Sequence, residues 1–199
     1  MGGRRHIEAI VVGGSAGALD ALSVLLPALP VDCAVPVALV VHLPPSRPSR
    51  LAAVLAMRAS VPVKEAEDKE PVAPGRVYVA PPGYHLLIER GRTFALSTDA
   101  LLNFSRPAID VLFESAADAY GEALAGVVLT GASEDGARGL AAIAEAGGLA
   151  VVQAPDGAVA RQMPDAAIAR AAGARVLPLA DIATLMTGWA QPRAAAGAK

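Results

Sequence analysis

The run Ala9-Ile10-Val11-Val12 passes straight into Gly13-Gly14-Ser15-Ala16-Gly17, and apolar residues then recur at Leu19, Leu22, Leu25 and Leu26. A short β-branched run bounded by glycine reads as a buried strand, and the spacing after it reads as one face of a helix. A strand, a turn of small residues and a helix are the opening of a βαβ unit. That order restricts the chain to α/β folds built on a largely parallel sheet. Pro27 and Pro30 stop the first helix. Val37–Val41 is a second fully apolar strand, closed by His42 and Pro44-Pro45, and residues 49–57 read as a second helix.

The middle of the chain has a different texture. Residues 64–75 are charged and carry Pro71, Pro74 and Gly75, so they read as a turn and a solvent-exposed edge. Runs at 77–80, 85–89 and 93–97, separated by Pro81-Pro82-Gly83 and Gly91-Arg92, predict short strands in an antiparallel excursion. From Arg106 the period becomes helical, with Pro107 as a first-turn proline and Ile109, Leu112, Phe113 and Ala116 on one face. Val127-Val128-Leu129 is another buried strand, followed by the polar turn Thr130-Gly131-Ala132-Ser133-Glu134-Asp135-Gly136. A helix over 137–146, a strand at 149–152, a helix over 164–172, a strand at 176–177 and a helix over 182–189 complete the pattern. The expected fold is doubly wound α/β: a mostly parallel sheet with helices on both faces and an embedded antiparallel β-hairpin. Residues 1–6 are expected to be a disordered start, 7–190 one domain, and 191–199 a flexible Ala/Gly-rich tail.

Composition narrows the function classes. With 54% hydrophobic residues in 199, the chain can bury a sizeable core, and 4% aromatics suits close packing of small residues. Lys+Arg 17 against Asp+Glu 19 gives a net charge of -2, which argues against nucleic-acid binding. No apolar stretch reaches the ~18 residues of a membrane span. The opening Met-Gly-Gly-Arg-Arg-His resembles neither a signal peptide nor a complete myristoylation signal. Cys33 stands alone, so no internal disulfide forms. The expected compartment is the cytoplasm.

In a sheet of this kind the working site lies beyond the carboxyl ends of the strands. Three polar groups fall there: Ser15, His42 and Asp135. Gly13-Gly14-Ser15-Ala16-Gly17 fits the G-x-S-x-G pattern, in which a strained strand-to-helix turn presents a serine nucleophile at a helix N-terminus. The same serine could be a plain N-cap, or the turn could hold a phosphate. The dinucleotide pattern fails because Ser15 stands in its second glycine slot, and no P-loop lysine is present. His42 closes an apolar strand, where it serves either as a base or as a histidine satisfied by a carbonyl. Asp135, with Glu134 beside it as the other carboxylate, orients a base or caps the next helix. His6 and His85 are weaker, and no partner for His85 is evident. Taken together, Ser15, His42 and Asp135 are the parts of a nucleophilic triad, in a chain order different from that of the α/β-hydrolases.

At these residues the sequence resembles the catalytic domain of the bacterial chemotaxis protein-glutamate methylesterase, CheB. The likeness runs from about Ile7 to Trp189. It is carried by Ile10-Val11-Val12-Gly13-Gly14-Ser15-Ala16-Gly17, Val41-His42-Leu43-Pro44-Pro45, Val63-Lys64-Glu65-Ala66-Glu67-Asp68 and Gly75-Arg76-Val77-Tyr78-Val79-Ala80-Pro81. Arg106-Pro107-Ala108-Ile109-Asp110-Val111-Leu112-Phe113, Leu129-Thr130-Gly131, Glu134-Asp135-Gly136-Ala137, Gln153-Ala154 and Met163-Pro164 continue it.

The resemblance implies hydrolysis of glutamate γ-methyl esters on the cytoplasmic helices of methyl-accepting chemoreceptors, and in some members deamidation of receptor glutamines. It implies Ser15 as nucleophile, His42 as base and Asp135 as orienting acid, with no metal and no organic cofactor. It also suggests the N–H groups of Ala16 and Ala132 as oxyanion donors. Most members have Thr then Gly-Gly after the nucleophile, where this chain has Ala16, Gly17 and Ala18. The family's Thr-Gly-Met-Gly is here Thr130-Gly131-Ala132-Ser133, which makes the pocket roomier. The catalytic domain fills the 199 residues, so the usual receiver domain is not expected within them. Two other readings remain: a serine esterase or amidase on a different substrate, and a partner-binding module that kept the fold but little activity.

Overall fold

A computed structural model describes residues 5–42 and 49–192. Along the chain come β1 (Ala9–Gly14), α1 (Ala18–Leu25), β2 (Val37–Val41), α2 (Leu51–Ala56), β3 (Val63–Glu65), β4 (Val77–Val79), β5 (His85–Ile88) and β6 (Phe94–Ser97). Then follow α3 (Ile109–Tyr120), β7 (Leu124–Val128), α4 (Ala137–Glu145), β8 (Leu149–Gln153), α5 (Gln162–Arg170), β9 (Arg175–Leu177) and α6 (Leu179–Ala190). Seven strands form one sheet in the order β3-β4-β2-β1-β7-β8-β9, and each neighbouring pair is parallel.

The central strands are apolar on both sides because both faces are covered. Ile10 and Val12 of β1 join Ala125 and Val127 of β7 in a core with Leu22 and Leu25 of α1, Leu55 of α2, and Ile182 and Met186 of α6. Ala9 and Val11 point the other way, into a core with Leu112 and Phe113 of α3, Leu140 of α4 and Met163 of α5. This is the alternation a strand imposes when each face meets helices. The second face also carries the antiparallel pair β5–β6, where Leu86 and Phe94 are fully buried. The doubly wound fold expected from the sequence is therefore present, hairpin included.

Four differences have clear causes. β4 is not part of the antiparallel excursion; it pairs in parallel with β2 and β3, and the excursion shrinks to β5–β6. Runs of three or four apolar residues between prolines carry no period that could tell the two pairings apart. The edge expected at residues 64–75 begins with a short parallel strand, β3. Pro107 is not in the first helical turn, because α3 starts at Ile109 after the extended residue Ala108. Finally, Ser15 is not the strained residue of its turn. The left-handed conformation falls on Gly17, at φ 80.

Residues 1–4 and 193–199, most of the expected loose start and tail, lie outside the described residues. Arg5 is fixed by a hydrogen bond to the Gly147 carbonyl at 2.7 Å. Among the described residues no helix is long and apolar enough to cross a membrane.

Candidate active site

The chain leaves β1 for β2 and β4 on one side, and later adds β7, β8 and β9 on the other. The strand order thus reverses around β1, which opens a crevice at its carboxyl end. Register fixes what stands there. Gly14 pairs with Val41, so Ser15 and His42 are the next residues on two adjacent strands, and the His42 N–H donates to the Gly14 carbonyl at 3.1 Å. Gly13 pairs with Val128 on the other flank, which brings the loop after β7 to the same rim.

The serine turn is tied to that loop through Thr130. The Ser15 N–H donates to the Thr130 carbonyl at 2.9 Å, and the Thr130 hydroxyl donates to the carbonyl of Ala16 at 2.9 Å. The same hydroxyl accepts the Ala160 N–H at 2.9 Å, and the Thr130 N–H is held by Gln153 Oε1 at 2.9 Å. Ser15 does not cap α1, whose N-cap is Gly17 with no side-chain hydrogen bond. The hydroxyl is therefore not consumed by helix capping.

His42 Nε2 lies 2.7 Å from Asp135 Oδ2, with the carboxylate wholly buried. A carboxylate anion only accepts, so Nε2 carries the ring proton and the lone pair sits on Nδ1. Asp135 does not serve the helix that follows it so much as the one before. Its Oδ2 also accepts the Ile109 N–H at 2.7 Å, and its Oδ1 accepts the Asp110 N–H at 3.1 Å, both at the start of α3. Asn103 Nδ2 adds a bond to Oδ1 at 3.0 Å. Burial pushes this carboxyl up, but the bonds from His42, Ile109, Asp110 and Asn103 outweigh it and hold Asp135 below its usual value. It is an anion kept charged by a helix N-terminus.

The capping is reciprocal. Asp110, in the first turn of α3, is buried and accepts the N–H groups of Gly136 at 2.9 Å and Gly139 at 2.8 Å, at the start of α4. Gly136 takes φ 91, and a side chain there would strike Ile109 Cγ2 at 2.7 Å. The same methyl would collide with a side chain at Gly13, so two glycines let α3 seat against the end of β1. Asn103 Nδ2 spans the two carboxylates, reaching Asp110 Oδ2 at 3.1 Å. Burial raises the Asp110 carboxyl above its ordinary value. The Gly139 N–H opposes that rise and the nearby Asp135 charge adds to it.

The other expected residues divide. Glu134 is exposed and outside this network. Ala16 and Ala132 are exposed on the serine turn and the aspartate loop, and among the described residues neither N–H has a backbone partner. His85 does have partners: buried on β5, it accepts the Ala108 N–H at Nδ1, 3.2 Å away, and its Nε2 meets the Ala100 carbonyl at 3.0 Å. It braces the loop that leads into α3. His6 is exposed beside Glu8 at 3.3 Å. Among the described residues no group of three or more His, Cys, Asp or Glu is clustered as metal ligands.

Comparison with known proteins bears on this arrangement directly. The profile of the CheB methylesterase family matches residues 10–186. The chain belongs to this family. The crystal structure of the Thermotoga maritima CheB methylesterase catalytic domain superposes with a TM-score of 0.86 at 32% identity, covering 92% of this chain and 98% of that one. A relative from Leptospira interrogans is 48% identical over 142 residues, 71% of this chain and 74% of its own. The protein-glutamate methylesterase/protein-glutamine glutaminase of Symbiobacterium thermophilum is 37% identical over 187 residues, and one from Anaeromyxobacter dehalogenans is 40% identical over 186. The match spans 52% and 53% of these last two proteins, about half their length.

Within this CheB methylesterase, sequence reasoning did not find Asn103, Asp110, Thr130 or Gln153. The last three are buried polar residues. A buried polar side chain is retained only when its bonds are satisfied, so it marks a built network. The available signal was position: Thr130 and Gln153 stand at the carboxyl ends of apolar strands, as His42 does.

Proposed function

We propose that the chain hydrolyses the γ-methyl esters of glutamates on the cytoplasmic helices of chemoreceptors, with residues 7–190 as the catalytic unit acting in the cytoplasm. Ser15 is the nucleophile, His42 the general base and Asp135 the group that fixes the imidazole tautomer. Family membership supports the reaction, and the buried His42–Asp135 bond carries the assignment of roles.

Ser15 Oγ attacks the ester carbonyl while its proton passes to His42 Nδ1. The imidazolium that forms is stabilised by the adjacent anion. The tetrahedral oxyanion is held by the N–H groups of Ala16 and Ala132, each such donor being worth ~10²–10³ in rate. Collapse breaks the C–O bond, and methoxide takes the proton from His42 and leaves as methanol. Water, deprotonated by the same imidazole, then cleaves the acyl-enzyme and releases the glutamate carboxylate. A receptor glutamine enters the same route with ammonia as the leaving group. No step calls for a metal or organic cofactor.

The test is methanol release from membranes carrying a methylated chemoreceptor. The wild-type chain is expected to release methanol and Ser15→Ala to release none above background. Turnover by Ser15→Ala equal to wild type overturns the assignment. A wild type that hydrolyses small esters but leaves methylated receptor untouched makes the protein an esterase of another substrate.

A further inference from the structure

Between β6 and α3 the chain makes a two-residue turn at Asn103-Phe104. Leu102 and Ser105 pair across it, with N–H to carbonyl bonds of 3.1 and 2.9 Å. Both central residues have positive φ, 50 at Asn103 and 59 at Phe104. Such turns favour Asn followed by Gly, because the second position is strained for any side chain. Here the second position holds a phenylalanine, and it is 99% exposed.

Phe104 therefore contributes no burial to the fold and occupies a conformation that glycine would adopt without strain. Strain retained where the fold gains nothing from it marks a site with another use. The location indicates which use. The neighbouring Asn103 amide touches the Asp135 carboxylate, so the ring stands one residue from the proposed catalytic network. The turn is braced from both ends: Asn103 also holds Asp110, and the Arg106 guanidinium donates to the carbonyls of Thr98 at 2.7 Å and Asp99 at 2.8 Å. Leu101, 59% exposed, lies on the same loop. An aromatic side chain has few rotamers to lose on contact, and here the backbone that carries it is already braced, which suits it to binding.

We infer that Phe104 is the apolar anchor by which this chain grips its polypeptide substrate, packing against the helix surface that flanks the esterified glutamate. This rests on the function proposed above. The occupant is the substrate segment itself, because the residue beside Phe104 bonds the carboxylate of the proposed catalytic network. A methyl-esterified glutamate is uncharged, so the segment presented to the ring is less polar before hydrolysis than after it.

The experiment measures methanol release from methylated receptor membranes by wild type, Phe104→Gly and Phe104→Trp. In parallel it measures the rate at which a small fluorophosphonate labels Ser15. Phe104→Gly is expected to raise KM for the receptor about tenfold, the loss of one buried aromatic contact. Its labelling rate falls no more than about twofold and its Tm rises by roughly 2–4 °C as strain is relieved. Phe104→Trp keeps KM near wild type. A receptor KM for Phe104→Gly within twofold of wild type, in a wild type that does release methanol, overturns this inference and leaves the proposed function standing. So does a wild-type dimer that Phe104→Gly dissolves, because the ring would then serve a second copy of the chain. A wild type that releases no methanol overturns the proposed function, and this inference with it.

Discussion

His42 and Asp135 come from opposite sides of β1, yet their side chains meet at 2.7 Å across its carboxyl end. The contact exists because α3 delivers the N–H groups of Ile109 and Asp110 to the same carboxylate, which fixes the direction in which its remaining lone pairs point.

Replacing Asp135 by Asn leaves the shape but turns one acceptor into a donor. The imidazole then loses the partner that keeps the proton on Nε2. Methanol release is expected to fall by ~10³–10⁴ in kcat, the scale of a lost tautomer. A reduction smaller than tenfold in a steady-state assay contradicts the role given to Asp135.

Acid stability carries the signs of two carboxylates. Asp135 is held below its ordinary value, so it stabilises the fold above the unfolded-state value and that contribution disappears as pH falls through the lower, folded one. Asp110 is raised, so its contribution runs the other way, present at low pH and lost as pH rises through the folded value. Urea midpoints measured from pH 6 to pH 3 should fall steeply in wild type and less steeply in Asp135→Asn. Parallel slopes in the two proteins contradict the account.

Asn103→Gly removes the bridging amide without demanding that a Cβ accept φ 50. The lost bonds are to charged groups, each worth about 1.5–3 kcal/mol. We expect kcat to fall about tenfold with receptor KM within threefold. A loss seen in KM alone would move Asn103 from the catalytic network to the binding surface.

Gly131→Ala would place a methyl 2.6 Å from Met163 Cε and 3.0 Å from Ser15 Cβ. The methionine can yield but the serine turn cannot shift freely, because Thr130 holds it. Activity should drop at least tenfold while Tm changes by only a few degrees. Gly157→Ala, with nothing within 4 Å of the new methyl, is the matched control and should leave both unchanged.

Much of this was legible from residue order. Ile10, Val11 and Val12 before a glycine turn, and Val37–Val41 before His42, specify parallel strands, and the carboxyl ends of such strands are where polar residues are put to use. What stayed hidden depends on long-range partners. Asp110 looks like an ordinary acidic residue of a first helical turn; only packing against α4 makes it the cap of another helix. Asn103 looks like turn punctuation, and its amide finds Asp135 only across 32 positions of sequence. Val77–Val79 was too short to declare its direction, which its neighbours β2 and β3 decide.

The reciprocal clasp, in which Asp135 caps α3 and Asp110 caps α4, joins the architecture to the chemistry. A molecule whose third helix has lifted from the sheet has also released the imidazole's companion, so no loosened species retains turnover. Heating such a protein should extinguish hydrolysis and tertiary structure in a single transition, with no inactive yet folded plateau between them.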